Sequence, residues 1–135
     1  MSFPGILTSM VHVRAFRILT ILVAAGILVL SLIPKPLEFP GGFHFADKIA
    51  HFVAYLVLGF FVFASISGVK RFGSALIAVL VVAVLCTVFG GVIEILQMFT
   101  HRRPEFLDLS ADLIGAVCGA LVGIGLQRHL ERGQV

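Results

Sequence analysis

The sequence predicts an all-α membrane protein, a four-helix transmembrane bundle with short loops. Three observations predict it. Of 135 residues, 59% are hydrophobic and only 13% charged, whereas a water-soluble domain carries about a quarter charged residues. The apolar residues gather in four stretches, about 16–33, 49–68, 73–99 and 109–126, each near the roughly 20 residues a helix needs to cross ~30 Å of hydrocarbon. Little chain remains between them, so residues 1–135 make one transmembrane domain. Within lipid a backbone must satisfy its own polar groups, and helices of this length do so.

The first stretch follows Arg14 and Arg17, a pattern shared with secretory signal peptides. After ILVAAGILVLSLI the chain runs into Pro34, Lys35 and Pro36 rather than a small-residue cleavage site. A retained first helix is therefore expected. The linker PKPLEFPGGFHFA, with Pro34, Pro36, Pro40 and Gly41-Gly42, breaks helix and favours extended or turn backbone. Phe39, Phe43 and Phe45 suit anchoring in the headgroup region.

The second stretch opens with an acid, a base and an imidazole. Asp47 suits the N-terminal end of a helix, where a carboxylate meets orphan N–H groups and the positive dipole end. His51 and Tyr55 follow at steps of four, so all three share one face. At 1.5 Å rise per residue His51 lies about 6 Å and Tyr55 about 12 Å inward of Asp47.

The third stretch is long for a span, and Gly90-Gly91 is the expected point of bending or close approach. Glu94, Gln97 and His101 form a polar stripe at its outer end. An ionised acid inside a span costs about 2.5–3.5 kcal/mol on insertion scales, so Glu94 should face protein. The loop that follows carries Arg102 and Arg103. Asp108 reads as the N-cap of the fourth helix, and Asp112, one turn inward on the same face, comes level with His51. Below it Gly115, Gly119 and Gly123 recur at steps of four, a stripe that lets helix backbones approach closely in lipid.

Charge distribution sets the orientation. With four spans, one side holds Arg14, Arg17, Lys70, Arg71, Arg128 and Arg132, and the other Lys35, Lys48, Arg102 and Arg103. The positive-inside rule places both termini in the cytoplasm. Glu38, Asp47, Glu94, Glu105, Asp108 and Asp112 all fall on the opposite, outward side. An isoelectric point near 9.3 does not imply nucleic acid, because the bases sit scattered at helix ends. Cys86 and Cys118 lack the neighbours of a zinc ribbon or redox pair, and read as small interior residues.

DKIAHFVAYLVLG, GGVIEILQMF and FLDLSADLIGAVCGALVG, in that order, resemble the VanZ-like family of small bacterial membrane proteins over roughly residues 31–123. The resemblance implies a multi-pass protein of the bacterial cytoplasmic (inner) membrane. It carries the family's polar signature onto Asp47, Lys48, His51, Glu94, Gln97 and Asp108, while Asp112 stands where the family pattern holds asparagine. The founding VanZ protein is associated with teicoplanin resistance, so a link to cell-envelope antibiotics is implied, and resistance by this chain is not.

The residues then support a ligand-binding cup of Asp47, Lys48, His51, Tyr55, Glu94, Gln97, Arg102, Arg103, Asp108 and Asp112. The expected partner is a membrane lipid or lipid-linked cell-wall precursor whose phosphate or carboxylate meets Lys48, Arg102 and Arg103. An enzyme acting on a lipid-linked substrate is the alternative, with His51, Glu94, Asp108 and Asp112 as acid and base candidates. No cofactor is predicted; a divalent metal on His51, Glu94 and Asp108 stays open. No HExxH or GxSxG motif supports a hydrolase. A small transporter or proton relay is disfavoured by the apolar inner halves of the helices, although a homo-oligomer could enclose a path.

Overall fold

A computed structural model describes residues 4–33, 46–67, 74–100 and 105–133. It contains α1 (Pro4–Leu32), α2 (Ala46–Ser67), α3 (Ala75–Gln97) and α4 (Phe106–Arg132), with a 3-10 turn, Met98–Thr100, extending α3. All four helices are long and apolar enough to cross a membrane. The protein is thus an all-α, multi-pass bundle.

Two helices overrun the apolar stretches. The first begins at Pro4 rather than near 16, and the last runs to Arg132 rather than 126. Hydrophobicity marks only the part of a helix that lipid covers, and helical hydrogen bonding continues into the polar flank. Ser74 caps α3, its hydroxyl accepting from the Ile77 N–H at 3.3 Å.

Helix α2 is central. It packs along α4, where the glycine stripe turns inward as the sequence implies. A Cβ on Gly119 would press into the backbone carbonyl of Leu56 and come within 2.7 Å of the Phe60 nitrogen. Without a hydrophobic drive between helices in lipid, this backbone-to-backbone fit holds the pair. Beneath the polar end the core is apolar and small, built from Tyr55, Leu58, Val62 and Phe63 of α2, Ala78, Val82 and Cys86 of α3, and Ala116 and Ala120 of α4. Cys86 is buried, Cys118 half-buried, and both are free thiols.

Helix α1 lies on the outside. Val23, Ala24 and Ile27 touch the core, while Ile18, Ile21, Leu22, Val29 and Leu30 face outward, as suits side chains meeting acyl chains. Two polar ties hold it: Thr20 Oγ1 lies 2.8 Å from Ser65 Oγ of α2, and Gln97 Nε2 of α3 donates to the Ser31 carbonyl at 3.1 Å. The second tie puts the ends of α1 and α3 beside each other, at the end of the bundle where α2 and α4 begin.

Candidate functional site

The site forms where two helices begin and one ends. Lys48, in the first turns of α2, donates to Glu105 Oε2 at 2.5 Å and to Asp108 Oδ1 at 2.9 Å. One turn deeper, His51 Nδ1 meets Asp112 Oδ1 at 2.9 Å, while its Nε2 faces Asp108 Oδ2 at 4.0 Å. Steps of three and four on α2 thus oppose a step of four on α4, and charges alternate across the seam. The glycine contact below makes this possible by holding the helices close enough for short side chains to meet.

Asp108 does not cap α4. The residue preceding the helix is Glu105, whose extended backbone (φ −118°, ψ 123°) serves as N-cap without a side-chain cap bond. Asp108 therefore falls inside the first turn, where its side chain turns to Lys48 instead of its own backbone. Helix α3 supplies what the cap lacks: Glu94 Oε2 accepts from the Glu105 backbone N–H at 3.1 Å. A carboxylate from one helix thus satisfies an orphan donor at the start of another.

Gly90 makes room for this arrangement. A Cβ there would lie 2.7 Å from Asp112 Oδ2 and 3.2 Å from the Tyr55 hydroxyl, so side chains from α2 and α4 lean over α3 at this point. Gly91 has open space around it. Of the two glycines, only Gly90 is a close-approach position.

Burial grades inward from a mouth. The Glu105 side chain is 54% exposed, Lys48 20%, His51 12%, and Asp112 2%. Among the described residues such a gradient outlines a cup at the bundle's end. The Lys48 ammonium, hydrogen-bonded to Glu105, holds that carboxyl below the ordinary glutamate value. Among the described residues three buried oxygens lack a hydrogen-bond partner: Tyr55 Oη, Thr87 Oγ1 and Glu94 Oε1.

Of the residues predicted from sequence, Asp47, Lys48, His51, Glu94, Asp108 and Asp112 come together. Asp47 and His51 join Asp108 in a group whose potential ligand atoms lie within 4.8 Å of one another. Tyr55 forms the floor. Gln97 points elsewhere, bracing α1. Arg102 and Arg103 lie outside the described residues. Glu105, expected only as one of the outward acids, is a principal member; its spacing of three from Asp108 would have revealed it had the helix start been placed correctly.

The sequence profile of the VanZ/LLP1 family matches residues 3–127, nearly the whole chain and including α1. No curated protein and no solved structure matches.

Proposed function

Because the chain belongs to the VanZ/LLP1 family of membrane proteins, we propose that its cup binds the headgroup of a cell-envelope lipid or lipid-linked cell-wall precursor at the outer face of the bacterial cytoplasmic membrane. One observation carries this reading. Half-buried Lys48 and His51 of α2 meet buried Glu94 of α3 and buried Asp108 and Asp112 of α4 at one end of the bundle, above a closely packed apolar core. A site at that depth meets the polar part of an amphiphile, while the exposed apolar flanks of the helices accompany its chains. The packed core below opposes a route through a single bundle, which disfavours transport.

Phosphate is the group such a ligand presents. Lys48 is already shared between Glu105 and Asp108, so we assign direct recognition to Arg102 and Arg103, which precede Glu105 closely in the sequence. Altered sensitivity to teicoplanin-type glycopeptides would follow if the bound molecule is a cell-wall precursor.

The His51–Asp112 contact favours one second reading. A carboxylate orienting an imidazole is the arrangement of a general base, so chemistry on the bound headgroup is the alternative to binding alone.

A photo-crosslinking amino acid tests the proposal. Placed at Glu105 in the mouth, it should capture one headgroup class, whereas at the outward Leu80 it should capture bulk lipid in proportion to membrane composition. Identical adduct distributions at the two positions would reject headgroup selection.

A further inference from the structure

We infer that the cup holds a divalent transition-metal ion of the zinc or manganese kind, bound by His51 Nε2, Asp108 Oδ2 and an Asp47 carboxylate oxygen. The inference goes beyond headgroup binding and stands without it.

The geometry points to a cation because two of the three ligands, His51 and Asp108, each have one atom held and another turned to the same gap, with Asp47 within reach. His51 Nδ1 is engaged by Asp112 at 2.9 Å, which leaves Nε2 to face Asp108 Oδ2 at 4.0 Å. That separation is too long for a hydrogen bond. An imidazolium donating from Nε2 would draw the carboxylate nearer, and an unprotonated Nε2 would set a lone pair against an anion. A cation between them resolves both. Asp108 Oδ1 is likewise fixed by Lys48 at 2.9 Å, freeing Oδ2.

A second observation is independent of that trio. Glu94 is 8% exposed, its Oε2 is anchored on the Glu105 N–H, and its Oε1 has no partner among the described residues. Its partner Glu105 shares Lys48 with Asp108, which places this carboxyl in the same cup. A buried carboxylate oxygen with no donor is costly, and a nearby cation offsets that cost.

The donor set selects the ion. One imidazole nitrogen with carboxylate oxygens suits zinc, manganese or iron, whereas magnesium and calcium favour oxygen alone. Bonds of about 2.0–2.2 Å place two ligands of a tetrahedral ion about 3.4 Å apart, so the trio, now within 4.8 Å, must tighten modestly. Asp47 is exposed in the first turn of α2, at the outer edge of the trio. Asp112 then acts as the positioning residue that fixes the His51 ring, as carboxylates behind metal-bound histidines do.

The test uses the full chain in phosphatidylcholine nanodiscs, stripped with EDTA and titrated with Zn²⁺ or Co²⁺. Expected are one zinc per chain by elemental mass spectrometry and a cobalt d–d absorption band. Asp47→Asn and His51→Gln should both abolish the band while keeping the far-ultraviolet helix signal of the wild type; Asp112→Asn should weaken binding about 10–100-fold. No retained zinc, or zinc retained equally in Asp47→Asn and His51→Gln, would overturn the inference. Lipid extracted from protein before nanodisc assembly separates the two readings. Zinc bound without selected lipid rejects headgroup binding alone, and selected lipid without zinc rejects the metal alone.

Discussion

Lys48 serves two acids of very different burial, and a double-mutant cycle can weigh them separately. The Glu105 side chain is 54% exposed and that of Asp108 is 8%. An exposed ion pair is worth about 0.2–1 kcal/mol, whereas a charge-assisted hydrogen bond in a sheltered place is worth about 1.5–3 kcal/mol. Coupling between Lys48→Met and Asp108→Asn should therefore reach about 1.5–3 kcal/mol. Coupling between Lys48→Met and Glu105→Gln should stay below about 1 kcal/mol. Lys48→Met alone strands a buried carboxylate, and its cost should approach the roughly 3 kcal/mol at the lower end for broken buried pairs. The assay is reversible unfolding in mixed micelles with rising SDS fraction, followed by far-ultraviolet circular dichroism. Equal couplings, both under about 0.5 kcal/mol, would show that water screens the whole seam and refute the burial gradient described for the cup.

Three further outcomes are expected. Gly119→Ala forces α2 and α4 apart and should cost about 1–3 kcal/mol, whereas Gly125→Ala on the same helix, with nothing within 4 Å, should be neutral or gain up to about 1 kcal/mol; the same unfolding assay checks both, and equal effects would contradict the close helix contact. Glu105, held below its ordinary value of 4.5 by Lys48, stabilises the fold fully above that value and loses its contribution as pH falls through the lower folded value; the gap in melting temperature between wild type and Glu105→Gln should shrink on acidification, and a gap that widens would reverse the sign. In a background lacking Cys86 and Cys118, Glu38→Cys but not Lys70→Cys should react with an impermeant thiol reagent on intact cells, and labelling only at position 70 would turn the cup toward the cytoplasm.

Much of the bundle could be read before any coordinates. Four apolar runs of spanning length leave few alternatives in lipid, and the step-of-four glycines of α4 named the face that packs. The spacing of Asp47, His51 and Tyr55 against Asp108 and Asp112 also puts groups level that the folded chain holds side by side, because 1.5 Å per residue fixes depth whatever the neighbours do. Partner choice was less legible. Asp108 reads from sequence as the cap of its own helix because an acid before an apolar run usually caps it; in the bundle Lys48 on another helix competes for that carboxylate and wins. Gln97 looked like part of the stripe with Glu94, yet three residues turn a helix by about 300°, enough to aim it at Ser31 of α1. Pairing across helices depends on rotation about each axis, which periodicity within one helix does not encode.

Native mass spectrometry of protein lifted from its membrane in mild detergent tests the binding cup most directly. Wild type should carry one phosphorus-bearing lipid or lipid-linked precursor. His51→Ala and Asp108→Ala should each lose it while keeping their helix content, and the double variant should lose little more, as groups acting as one unit do. Lipid retained alike by all four proteins, or a spread of lipids matching the bulk membrane, would contradict the account.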